Sequence, residues 1–312
     1  MQHSLVTIAI PAYKPYFIEQ AIISALEQTY HNIEVVIVND KSPYDIKSIV
    51  DKFSDKRISY YVNKENVGSK DPSRNWNECL KYAKGDFICI LCDDDLYDKD
   101  FVSTLVSLAE KYPECNVFRS GVKEIDAQGN VTSLFPLAQE HEDVTEYIWH
   151  LHSGNNRQTM SEWMIKTEKL KEIGGYVNQP MAWGSDCSTI FTLAKHGGVA
   201  SSPLRLMSFR NTDKNISGCD YSYIPEKICG WTMQCDLAIS IIERSNSPYK
   251  EIICKEVERD KRAGRKILVK HAGLHDLNTM MKSPHIYGMN IGKYLNGIFR
   301  NLIWLTGLRK KK

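Results

Sequence analysis

The sequence has no long hydrophobic run. Nothing in it approaches the roughly 20 consecutive apolar residues that cross a bilayer, so a membrane-spanning chain is not expected. It has no excess of either charge: 40 basic against 38 acidic residues leave a net +2, which argues against a nucleic-acid partner. It shows no internal repeat and no low-complexity linker, so neither a solenoid nor a beaded chain is expected. No signal-peptide pattern precedes the first apolar segment at Leu5, and a cytoplasmic protein is expected. The nine cysteines are odd in number and scattered, which suits reduced thiols better than a disulfide framework. Cys89 and Cys92 form a CxxC, but on a strand they point to opposite faces. His271 and His275 form an HxxxH with no third ligand nearby in sequence, so a metal role is not expected for them.

What is present is ordinary globular composition, 42% apolar and 25% charged over 312 residues, enough for one large domain or two. Leu5–Ile10 is a strand by composition, stopped by Pro11. Val35–Val38 and Ile58–Val62 are two more strands. Helical spacing runs between them through Phe17, Ala21 and Ala25, and through Ile46, Val50 and Phe53. Ser42, Pro43 and Asp45 form a capping-box pattern, and Asp71-Pro72 forms another cap. Alternating strands and helices over the first ~110 residues, without clean period-2 alternation in the strands, predict a mostly parallel sheet covered on both faces. Further strands are expected near Val117–Val122 and Met160–Ile165, and a helix from Asp186 to a stop at Gly197-Gly198. Leu134 to Gln158 reads as polar loop with some helix. From Ile224 onward the chain reads as helices, giving an expected α/β domain over 1–222 and a helical region over 223–312.

Phe87–Leu91 is a buried-looking run that ends in Asp93-Asp94-Asp95. Three adjacent acids are costly to ionise together without a cation or a hydrogen-bond network. Oxygen-only ligands suit Mg2+ or Mn2+ bridging to phosphates; the competing reading is a solvated acidic turn. In parallel sheets ligands bind at the carboxyl ends of strands. Those ends carry Pro11-Ala12-Tyr13, Asn39-Asp40 and the three aspartates, so all should meet in one crevice.

Together these segments resemble family 2 glycosyltransferases. Val6–Tyr13 is similar to that family's first strand and loop, and Val36–Ser42 to its second-strand motif. Asn66-Val67-Gly68 with Arg74-Asn75 resembles its nucleotide-side loop, Cys92–Asp95 its DxD-type metal motif, and Trp183–Asp186 the segment with the catalytic base. The resemblance covers residues 4–218 and implies a GT-A fold with inverting sugar transfer from a nucleotide diphosphate. It implies a nucleotide-diphosphate sugar donor, with a UDP-sugar favoured, a glycan or lipid-linked acceptor, and Mn2+ or Mg2+. Carried over, Pro11, Ala12, Tyr13 and Asp40 would hold the base and ribose. Arg74 would face a negative ligand and Asp93 the ribose or sugar. Asp94 would be the main metal ligand, with Asp95 second. Asp186 would be the general base. Trp183 would stack on an acceptor sugar, or else serve as a core or lid residue. Arg210 would contact the diphosphate, or else make an ordinary salt bridge.

Three departures stand out: Asn39 for an acid, Lys41 for a glycine, and Cys92 where an aspartate often stands. Ser185 also replaces a frequent glutamate. These departures motivate the alternative of a non-catalytic nucleotide-sugar-binding module. A nucleotidyltransferase is disfavoured, because no glycine-rich basic loop follows the first strand. Ile291 to Leu305 forms an amphipathic stripe closed by Arg309–Lys312. It suits a membrane interface at the inner face, or packing on the catalytic domain or on a second subunit as a homodimer.

Overall fold

The computed structural model describes residues 4–212, 215, 222–284 and 287. In chain order the elements are β1 (Val6–Ala12), α1 (Ile18–Leu26), β2 (Ile33–Asn39), α2 (Ile46–Val50), β3 (Ile58–Val62), α3 (Ser73–Tyr82), β4 (Phe87–Ile90), β5 (Leu96–Tyr97) and α4 (Phe101–Lys111). They continue with β6 (Val117–Ile125), β7 (Val131–Leu134), β8 (His141–Glu142), α5 (Val144–His152), β9 (Trp163–Lys166) and α6 (Thr167–Glu172). A short 3-10 turn (Pro180–Ala182) leads to α7 (Ser185–Leu193), β10 (Val199–Arg210), α8 (Ile224–Glu243), α9 (Lys250–Lys270) and α10 (Leu274–Lys282).

One mixed sheet runs in the order β3-β2-β1-β4-β9-β6-β10-β5, with β7 on β6 and β8 on β10. The first four strands are parallel, β9 is reversed between β4 and β6, and β10 runs parallel to β6. Alternate residues of the central strands enter two separate cores. Ile8, Ile10, Phe87 and Cys89 pack on one side with α1 and α4. Ala9, Ile88 and Ile90 pack on the other with α3, α7, α8 and α9. A strand buried on both faces needs apolar residues at every position, which is why these strands show no alternation in sequence.

Some local expectations shift. Helix α2 is capped by Asp45, whose carboxylate accepts from the Ser48 N–H, rather than by Ser42. Ser42 instead donates to the Tyr13 carbonyl and stiffens the loop after β1. The strand expected from Met160 begins at Trp163, because Ser161 and Glu162 are used as side-chain anchors. The long strand β10 was not expected. Its Ser201-Ser202-Pro203 segment interrupts the apolar pattern, and the pairing with β6 slips there. Helix α8 joins the second core through Cys235, Ala238, Ile241 and Ile242, and α9 through Ile253 and Val257. The stripe from Ile291 to Lys312 lies outside the described residues.

Candidate active site

The carboxyl ends of β1, β2 and β4 open into a cavity of ≈ 780 Å³. Pro11, Tyr13, Asp40, Asp93, Asp95, Trp183 and Asp186 all line it. One edge is built around Asp40. One carboxylate oxygen accepts from Asn63 Nδ2 (2.8 Å) and the Val67 N–H (2.9 Å); the other accepts from the Gly68 N–H (2.8 Å). The Asp40 N–H donates to the carbonyl of Ala12, which is itself buried. Asp40 therefore folds the 66–68 loop over the end of β2. A Cβ on residue 68 would fall 2.8 Å from the Asp40 oxygen, so any larger residue there would push the carboxylate aside. Asn39 contributes to the turn by accepting from the Ser42 N–H and donating to the Tyr60 hydroxyl, and Lys41 follows at φ 52.

The three aspartates differ in how they are held. Asp93 Oδ2 accepts from the backbone N–H of Tyr13 (2.8 Å) and of Lys14 (2.7 Å), tying β4 to the loop after β1. Asp95 accepts from the Ser161 hydroxyl (2.6 Å) and the Arg210 N–H (2.9 Å). Asp94 has a looser partner, Asn215 Nδ2 at 3.2 Å. Burial pushes all three carboxyls above the usual carboxylate range, and their mutual repulsion adds to this for Asp93 and Asp95. Acids in that state gain from a nearby cation. Their oxygen donors fit a hard divalent ion of the Mn2+ or Mg2+ type, held by one or two carboxylates plus substrate phosphates. Among the described residues, the three aspartates do not themselves converge as a three-ligand cluster.

Asp186 stands in the first turn of α7, behind Gly184 at φ 87. The preceding turn holds Met181 (φ 59) and Ala182 (φ 52) in the left-handed region. Backbone held this way stores strain and tends to mark working sites. Burial pushes the Asp186 carboxyl above its ordinary range, while the Gln158 amide and Cys187 act in the opposite direction. Gln158 was missed in the sequence because it lies in a polar stretch read as loop. The Tyr147 hydroxyl donates to its Oε1, which fixes the amide with Nε2 free. That Nε2 lies against the Asp186 carboxylate without completing a well-aligned hydrogen bond. Trp183 lines the cavity with Lys227 Nζ 5.0 Å from its ring centre. Trp231 and Gln234 of α8 complete this wall, so helices beyond residue 222 help to form the site.

Two expected donor contacts lie elsewhere. Arg210 is buried with its guanidinium fully engaged. It donates to the Asp94, Asp126 and Ala127 carbonyls and to Gln20 Oε1, and it covers the Phe17 ring at 4.2 Å. In this structure it braces the aspartate turn from behind and does not line the cavity. Arg74 is 65% exposed, 3.9 Å from Asp71 and outside the lining, because the start of α3 turns its side chain to solvent.

The family model for glycosyl transferase family 2 matches residues 7–174, more than half of the chain. The chain belongs to glycosyl transferase family 2. Among curated relatives, a Campylobacter jejuni protein named GalNAc(5)-diNAcBac-PP-undecaprenol beta-1,3-glucosyltransferase is 31% identical over 185 residues, which is 57% of this chain and 58% of that one. The Escherichia coli UDP-Glc:alpha-D-GlcNAc-diphosphoundecaprenol beta-1,3-glucosyltransferase WfgD is 34% identical over 142 residues, 45% of this chain and 54% of that one. The chain spans less than two thirds of the length of the curated relatives it matches. Among solved structures, Staphylococcus aureus TarS 1-349 in complex with UDP-GlcNAc superposes with a TM-score of 0.66 at 16% identity, covering 82% of this chain and 72% of that one. The mannosyltransferase PcManGT from Pyrobaculum calidifontis, in complex with GDP-Man and Mn2+, gives 0.57 at 15% identity over 98% and 88%. The family 2 domain thus has the GT-A architecture, with the helices α8 to α10 appended.

Proposed function

We propose that this chain is an inverting, metal-dependent glycosyltransferase. It would move a hexose or N-acetylhexosamine from a nucleotide-diphosphate sugar, UDP-linked by preference, to a hydroxyl of a glycan or lipid-linked acceptor in cell-surface polysaccharide synthesis. The observation that carries this is the single cavity with Asp93 and Asp95 at its strand-end side and Asp186 on the facing helix. Two relatives named for undecaprenol-linked acceptors support the choice of acceptor class.

The nucleoside would lie along Pro11, Tyr13 and the loop that Asp40 folds. Asp94, with Asp95, would hold the divalent ion, which when bound supplies positive charge against the leaving diphosphate. Asp186 would accept the proton of the incoming hydroxyl at its carboxylate. One base is enough for inversion, and no second carboxylate is needed opposite it. Trp183 and Trp231 would stack on the acceptor and keep water from competing for the sugar. Among the described residues no helix is long and apolar enough to cross a membrane, which fits a protein that meets a lipid-linked acceptor from one side.

The test is a thermal-shift screen of UDP- and GDP-sugars with Mn2+, followed by transfer assays on the donor that binds. Asp186→Asn should keep donor binding and lose transfer. Near wild-type turnover in that variant would overturn the assignment of the base. Donor binding without turnover in the wild type, across a broad acceptor panel, would overturn catalysis itself.

A further inference from the structure

The opposite end of the sheet holds a second arrangement that sugar transfer does not use. Glu114 and Cys115 precede β6, and His141 is in β8. One ligand atom from each lies within 4.8 Å of the others. Two of them, Cys115 and His141, share one hydrogen-bond acceptor. The Gly197 carbonyl oxygen is 2.7 Å from Cys115 Sγ and 2.8 Å from His141 Nε2. The Gly197-Gly198 turn is pressed against both ligand-bearing segments. A Cβ at Gly197 would fall 2.1 Å from the Glu114 carbonyl oxygen, and one at Gly198 would fall 2.2 Å from that of Glu142. Both glycines have positive φ. His141 is fixed in turn by its pairing with Ala200 and by stacking on Tyr112, with ring centres 5.1 Å apart.

We propose that Glu114, Cys115 and His141 form a Zn2+ site at the amino ends of β6 and β10, the ion replacing the hydrogen bonds that Cys115 and His141 make to the Gly197 carbonyl. The donor set decides the metal. A thiolate, an imidazole and a carboxylate, completed by a solvent water, suit Zn2+ in a tetrahedral shell, whereas Mn2+ and Mg2+ favour all-oxygen sites like the aspartate turn. The two sites are separated by about the length of β6, nine residues or roughly 30 Å, so they select their ions independently. An entry path exists: Glu114, His141, Gly197 and Gly198 line a cavity of ≈ 890 Å³ that also borders Tyr249 and Ile252 at the start of α9. Burial and the Glu114 charge push the Cys115 thiol up to about 11, so it is protonated when free. Forming the S–Zn bond releases that proton to solvent. His141 binds through the Nε2 lone pair, its proton moving to Nδ1. The ion would cross-link two segments distant in sequence, the entry to β6 and β8.

The experiment uses the full-length chain stripped with chelator and reloaded with Zn2+, Mn2+ or Co2+. Wild type should bind about one Zn2+ per chain at this site and melt higher with Zn2+. The Co2+ form should show thiolate-to-metal charge-transfer absorption. Cys115→Ser should abolish that band, and His141→Gln should weaken Zn2+ binding by about 100-fold, a share of the total expected of one donor in four. Cys254→Ser should change neither. Both site variants should keep Mn2+-dependent donor binding, which separates this site from the proposed active site. A wild type that Zn2+ does not stabilise overturns the proposal. So does a charge-transfer band that survives Cys115→Ser. If Cys115→Ser does not fold, His141→Gln decides: unchanged Zn2+ affinity there overturns the site.

Discussion

At the scale of single residues, the adjacent aspartates are held by different partners. Asp93 fastens two backbone N–H groups of the loop after β1. Asp93→Ala leaves both without their partner in a part-buried setting and should cost about 1 kcal/mol of stability, measured by urea unfolding. Asp94 has the weakest protein attachment, so Asp94→Ala should change stability little but remove the Mn2+ dependence of donor binding. The opposite order would place the metal on Asp93. Asp186 carries a different signature. Its folded carboxyl lies above the ordinary value of 3.8, so the folded state holds its proton more tightly than the unfolded chain does. Its contribution is therefore fully favourable below 3.8 and is lost as pH rises through the raised value. Asp186→Asn should melt higher than wild type at neutral pH while being inactive, and the gain should vanish as pH falls below 3.8. In the wild type, transfer should decline as acid protonates the base, with its midpoint above the usual carboxylate range. Asp93, Asp94 and Asp95 stood out in the sequence because charge at the end of an apolar run is conspicuous, whereas Asp186 stood out only through the family resemblance. Gln158 did not stand out, since an amide in a polar stretch gives no signal until Tyr147 and Asp186 are seen on either side of it.

At the scale of elements, legibility followed burial. Strands β1, β2 and β4 read clearly because both faces are covered and, Thr7, Glu34 and Asn39 apart, their positions are apolar. Strand β10 did not, because its middle slips register against β6 and exposes Pro203 and Leu204. The packing of α8 on the turn before Asp186 was also invisible, because it depends on a missing side chain. A Cβ at Gly230 would sit 2.4 Å from the Trp183 carbonyl oxygen. Alanine normally stabilises a helix interior by about 1 kcal/mol relative to glycine. Here the sign should reverse. Gly230→Ala should cost about 1–3 kcal/mol by overpacking, and should lower kcat by displacing Trp183 and Asp186. An alanine variant as active and as stable as wild type would mean that α8 does not hold the turn.

At the scale of the whole molecule, the sequence suggested a boundary near residue 222, yet the core and the cavity both cross it. Cys235, Ala238 and Ile242 share a core with Trp76 and Phe191, and Trp231 and Gln234 share the cavity with Asp186. A chain cut after residue 222 should therefore neither unfold as a cooperative unit nor bind acceptor, which calorimetry of the fragment would check. The segment beyond residue 290 calls for a separate experiment. Helix α10 packs on the beginning of α8 through Met280, Ile224 and Ile228, and that same end of α8 places Lys227 over Trp183. The last described helix thus lies near the cavity wall that carries Trp183, and the remaining sequence pairs apolar residues with a basic end. Anionic lipid attracts such a segment through both charge and apolar area. Deleting residues 291–312 should reduce co-sedimentation with anionic liposomes. It should slow transfer to an acceptor embedded in them, while transfer to a short soluble acceptor stays at the full-length rate. Equal loss on both acceptors would assign the tail to holding the fold, and unchanged co-sedimentation would remove it from the membrane.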